Sequence, residues 1–152
     1  MRNLISRILV PLDGSKYADK ALDWALDLAE KYDASIELLT VIPLLQTFTT
    51  GEYSRHGNIP LLGPTPDELQ ERAENMLAEA LTKAKKSKPD LRISTKILEG
   101  RPSEMIVQSA EKGHFDLIVM GSRGLGGVKE FFLGSVSDRV ADEAKCPVVV
   151  VR

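Results

Sequence analysis

Residues 121–135, GSRGLGGVKEFFLGS, hold five of the chain's eleven glycines and close on Gly134 and Ser135. A main chain without side chains can run close to another group, and amides bared before a helix start bind anions. The chemistry this stretch offers is the holding of a phosphate. Amides at Gly121, Gly124 and Gly134 would supply it, with amides and hydroxyls from Ser135 and Ser137 at the start of the following helix. Each contact between an anion and a helix end is worth about 0.3–1 kcal/mol when exposed and up to about 2 kcal/mol when partly buried. The competing reading is a plain glycine-rich turn, with Ser135 or Ser137 capping a helix. Two widespread phosphate motifs are absent. G-x-x-x-x-G-K-[ST] fails because Gly127 follows Gly126, and G-x-G-x-x-G fails because Lys129 ends the match from Gly124.

Other reactive side chains are scattered. His56 and His114 lie in separate segments and read as a loop residue and a turn residue, and a single cysteine, Cys146, permits neither an internal disulfide nor a cysteine-rich zinc site. Cys146 reads as a small packed residue, and Trp24 as a packing residue of a helix. The run KAKKSKPD at 83–90 reads as a solvated helix end whose cations suit the dipole.

The elements that must position the loop follow from hydrophobic patterning. Apolar runs at Arg7–Leu12, Ser35–Ile42, Arg92–Leu98, Asp116–Met120 and Pro147–Val151 predict five strands. Several are nearly continuous in Val, Ile and Leu, as a sheet covered on both faces requires, whereas the third alternates and suits an edge. Helical spacing fills the intervals: Ala18, Ala21, Leu22, Ala25, Leu28, Ala29 and Tyr32 form one stripe, and Leu69, Ala73, Met76, Leu77, Ala80, Leu81 and Ala84 another. A shorter pattern follows Pro102 through Ile106, Val107 and Ala110, and Val136, Val140 and Ala144 mark a last helix. Strands alternating with helices predict a doubly wound α/β sandwich of three layers with a five-stranded parallel sheet, for which we take the order 3-2-1-4-5. Ligands of such sheets collect outside the strands' carboxyl ends, where strand order reverses, here between strands 1 and 4. Pro43–Pro66 lacks a sustained period and reads as a long loop, either disordered or packed over the domain, or else set over the ligand.

Size and charge bound the function. The 152 residues, 43% of them hydrophobic, suit one domain spanning 1–152. Twenty basic against 22 acidic residues leave a net charge of −2, which supplies no field for a nucleic-acid backbone. No apolar run approaches the roughly 18 residues of a membrane span, and Met1–Ser6 lacks a signal-peptide core, so a cytoplasmic protein is expected.

Gly121, Gly124, Gly134 and Ser135 also fit G-x2-G-x9-G-[ST], and in this the chain resembles the ATP-binding branch of the universal stress protein family. The resemblance extends through ILVPLDGS (8–15), EGRPSEMIV (99–107), DLIVMGSRG (116–124) and FLGSVSDRVADEAKCPVVVV (132–151), and spares only the middle loop. It implies that Asp13, with Pro11 and Leu12 beside it, contacts the ribose or base, that Val41 meets adenine through its main chain, and that Met120 packs near the nucleoside. It places Gly121, Arg123, Gly124, Gly134, Ser135, Val136 and Ser137 around the phosphates and ribose. Asp13 in DGS could instead close an Asx-turn, Ser15 reads best as a helix cap, and Arg123 could be a solvated charge.

The implied function is a regulatory protein that binds ATP, ADP or AMP, with Mg2+ able to accompany the triphosphate, and whose shape or assembly responds. No general base or nucleophile is evident beside the phosphate loop, which favours binding over rapid phosphoryl transfer. A slow ATPase or nucleotidyl-transferring enzyme built on Asp13, Arg123 and a cation is the alternative, and a nucleotide-free interaction module a third. The final strand, Pro147–Val151, falls at a sheet edge, where an apolar strand invites pairing, and the resemblance implies a homodimer through it.

Overall fold

Branched and apolar side chains in short segments between turn residues fit a pleated surface covered by helices, and that is where they lie. The computed structural model describes residues 3–44, 63–123 and 135–152. Its strands are β1 (Arg7–Pro11), β2 (Ser35–Ile42), β3 (Ile93–Glu99), β4 (Leu117–Gly121) and β5 (Val148–Val151). Between them run the helices α1 (Lys16–Tyr32), α2 (Pro66–Ser87), α3 (Pro102–Lys112) and α4 (Ser135–Glu143). All pairings are parallel, in the order β3-β2-β1-β4-β5. This is the expected topology, with strand limits shifted by a residue at most ends.

The sheet divides the core in two. Alternate residues Ile8, Val10, Ile36, Leu38, Leu117 and Val119 face α1 and α2, whereas Leu9, Leu39, Ile118 and Met120 face α3 and α4. β1, in the middle, carries Ile8, Leu9 and Val10 with no exposure at all. β3 lies at the edge, where Ser94, Thr95 and Lys96 stand in solvent.

Local signals set the helix ends. Ser15 caps α1 by accepting a hydrogen bond from the Ala18 amide at 3.2 Å, and the helix stops where Asp33 turns left-handed at φ 54°. Thr65 and Glu68 form a capping box around Pro66, the first residue of α2. The loop expected over Pro43–Pro66 is therefore shorter at its end, and residues 45–62, His56 among them, lie outside the described residues. The 83–90 run closes α2 as anticipated, with Lys88 reaching Glu30 of α1 at 2.8 Å. His114 occupies a left-handed turn position at φ 53°.

One expectation is overturned. Trp24 does not pack: it is 57% exposed. At about 100° per residue it falls roughly 115° from the centre of the stripe formed by Ala18, Ala21, Leu22, Ala25 and Ala29, on the outward flank. Leu26, absent from the expected stripe, is buried in its place.

Ser15→Ala should lower unfolding stability by about 1 kcal/mol, since the α1 start loses its acceptor for the Ala18 amide. Urea denaturation tests this, and an unchanged midpoint would show that the cap contributes nothing.

Candidate functional site

Three strand ends build the site. Beyond Pro11, β1 stays tied to β2: the Leu12 amide donates to the Leu39 carbonyl at 2.8 Å, and the buried Thr40 hydroxyl donates to the Leu12 carbonyl. Held to β2 through both its amide and its carbonyl, Leu12 sends the chain out of the sheet at a defined point. Asp13 then accepts the Ser15 amide on Oδ1 at 2.9 Å while Gly14 takes φ 85°, an Asx-turn that delivers Ser15 to its capping position. The turn does not remove Asp13 from the site. Its exposed carboxylate lines a cavity of about 600 Å³ outside the carboxyl ends of β1, β2 and β4, within the range of small-molecule pockets.

At the end of β4 the buried Met120 faces the same cavity. Gly121 follows, and here the expected reason for glycine changes. A Cβ at Gly121 would stand 2.8 Å from the Tyr17 carbonyl carbon, so the missing side chain admits the first turn of α1. Close packing of strand end against helix requires this glycine, whatever approaches from the cavity. Ser122 is fixed next, its amide donating to the Val151 carbonyl at 2.7 Å and its carbonyl accepting the Ser137 hydroxyl at 3.1 Å. Ser137 is only 2% exposed. Its hydroxyl proton is engaged in binding α4 to β4, so its part in an anion cradle would fall to other atoms. Arg123 is half-buried, its guanidinium carbon 5.7 Å from the centre of the Tyr17 ring, a cation–π contact that restrains a charge otherwise free to swing.

The fold thus brings Pro11, Leu12, Asp13, Val41, Met120, Gly121, Arg123, Ser135, Val136 and Ser137 around one cavity. Gly124 and Gly134 lie outside the described residues. The first residues of α4 line the wall, so that helix's positive end is beside the space. Sequence reasoning missed the opposite wall, where Leu69, Arg72, Ala73 and Met76 of α2 and Pro102 and Ile106 of α3 complete the cavity. Their helical period was legible, but which strand ends they would cover was not.

Elsewhere the chemistry is quiet. Burial pushes the half-buried Cys146 thiol above its ordinary range, opposite to what a reactive thiolate needs. Among the described residues no three histidine, cysteine or acidic side chains gather as a metal set, and no helix is long and apolar enough to cross a membrane.

Known proteins share this architecture and sequence. The family model described as "Universal stress protein family" matches residues 5–152. Universal stress protein MJ0531 of Methanocaldococcus jannaschii is 36% identical over 152 residues, covering 99% of this chain and 84% of that one. The solved structure of the hypothetical protein MJ0577 superposes with a TM-score of 0.79 at 28% identity, over 97% of this chain and 96% of the other. A universal stress protein crystallised in complex with cAMP superposes with a TM-score of 0.73 at 24% identity, over 98% of each chain, a likeness of fold.

Gly121→Ala should cost about 1–3 kcal/mol, the usual range for overpacking, because the new methyl meets backbone rather than a yielding side chain. A thermal melt indistinguishable from the parent protein would show that α1 can withdraw freely and would refute the packing role.

Proposed function

The chain belongs to the universal stress protein family, and from that premise we propose that it binds adenine nucleotides, ATP, ADP or AMP, and that occupancy alters its conformation or assembly. The observation that carries this reading is the convergence of Asp13, Arg123 and the start of α4 on one cavity beside the apolar end of β2. An adenosine phosphate has a matching sequence of parts: an apolar base, a hydroxyl-bearing ribose and an anionic tail. The resemblance assigned the same residues to the same ligand, and the fold neighbour crystallised with cAMP supports an architecture that can admit an adenine nucleotide.

The chemical division of the site follows. Val41 and Ile42 offer an apolar surface and strand-end main chain to the base. Asp13, whose exposed carboxylate lines the cavity, receives ribose hydroxyls. Arg123 and the amides at the α4 start meet the phosphates, whose charge the helix end favours. Mg2+ accompanies the triphosphate as part of the ligand. The protein is a cytoplasmic binder whose output is the bound state, since nothing in this division activates a water or a nucleophile.

Titration calorimetry tests the proposal. ATP with Mg2+ should bind, with the nucleotide recovered intact; absence of heat with ATP, ADP and AMP alike would defeat it. Asp13→Asn keeps an oxygen for the Ser15 amide but loses a charged acceptor, so ATP affinity should fall roughly 10- to 100-fold while the melting temperature holds. Equal affinity in this variant would remove Asp13 from the site.

Assembly belongs to the same reading. β5 forms an edge of the sheet, and Val148, Val149 and Val150 remain half-buried there. We propose that a second copy of the chain pairs along Pro147–Val151, which would cover this apolar edge. Sedimentation across a concentration series, with and without ATP, should show a dimer, and a monomer throughout would overturn the pairing.

A further inference from the structure

Arg72 is a cation on the wall that α2 supplies to the cavity, on the sheet face opposite the one α4 covers. Across the site the strand ends run β2, β1, β4. On the β4 side stand Arg123 and the first residues of α4, and at β1 stands Asp13. The β2 side is lined by Val41 and Ile42, and α2, which packs on β2 and β3, adds Leu69, Ala73 and Met76 to the lining. Arg72 belongs to that same face of α2, since residues 69, 72, 73 and 76 share one side of a helix at i, i+3, i+4 and i+7 spacing.

The packing of α2 confirms which flank this is. The helix lies against β2 and β3, on the sheet face it shares with α1, whereas α4 covers the other face. Met76, one turn beyond Arg72, approaches to 3.3 Å of where a Cβ on Gly14 would be, so this face of α2 also reaches the exit of β1. Arg72 is exposed, and among the described residues it forms no ion pair. Arginine differs from lysine in presenting a flat, weakly hydrated guanidinium that stacks on aromatic faces. A planar cation beside an apolar slot fits the face of a purine better than it fits a phosphate at the opposite end.

Resting on the nucleotide reading above, we infer that Arg72 is a specificity-determining residue that stacks its guanidinium on the base and selects ligands carrying an aromatic ring. The contact adds to binding through the ring's π-face, so it acts equally on every ligand with the same base whatever its phosphate number. A base-free sugar phosphate gains nothing from it.

The test compares the parent protein with Arg72→Ala and Arg72→Lys, titrated with adenosine, AMP, ATP and ribose 5-phosphate. Arg72→Ala should weaken adenosine, AMP and ATP by one common factor of roughly 3- to 30-fold, Arg72→Lys by a smaller common factor, and ribose 5-phosphate by none. A loss that grows from adenosine to ATP would make Arg72 a phosphate contact and overturn the inference. So would a loss shared by ribose 5-phosphate, which would mark a structural role, or no loss at all, which would mark a solvated charge. If the parent protein binds neither adenosine nor any of the phosphates, the nucleotide reading itself falls, and this inference with it.

Discussion

A parallel strand with both faces covered must pair on both edges, because its amides have no water to turn to. β1 is in that position: Ile8, Leu9 and Val10 are wholly buried, and the strand is paired with β2 on one side and β4 on the other. The rest of the molecule follows from this constraint. The chain must leave β1 for a helix, and the connections to β2 and to β4 then spread to opposite sides. Where they diverge, at the carboxyl ends of β1, β2 and β4, the cavity lies.

The cavity inherits its precision from hydrogen bonds that touch no ligand. Leu12 is held by the Leu39 carbonyl and the Thr40 hydroxyl, Ser122 by the Val151 carbonyl and the Ser137 hydroxyl. These bonds continue the ladder beyond the strand ends, so Asp13 and Arg123 project from anchored backbone. Gly121 contributes in the same indirect manner, by letting α1 close on β4. The scaffold and the site are therefore one set of interactions at this end of the sheet, and residues that look like ligands in a motif can serve by holding the residues that are.

Much of this was legible in the sequence because it is local. Continuous Val, Ile and Leu runs announce buried parallel strands, and a stripe such as Ala18, Ala21, Leu22, Ala25 and Ala29 announces a helix lying on them. Ser15 and Pro102 mark helix starts by chemistry confined to a single turn. Trp24 was misread for an instructive reason: its bulk and apolarity suggest burial, yet its angular position on α1 faces it outward. In a helix, position outweighs hydrophobicity when the two disagree.

By itself, then, the sequence announced the five strands, their helices, the order of the sheet and, among the described residues, those that line the cavity from the ends of β1, β2 and β4 and the start of α4. Each of these follows from periodicity, from cap and turn chemistry, or from family resemblance along contiguous motifs. Only the tertiary structure decided that Leu69, Arg72 and Met76 wall the cavity, that Ser137 bonds Ser122, and that Gly121 yields to Tyr17. Those facts join segments far apart in the chain, and their distances depend on how helices seat against a twisted sheet, which no local pattern encodes.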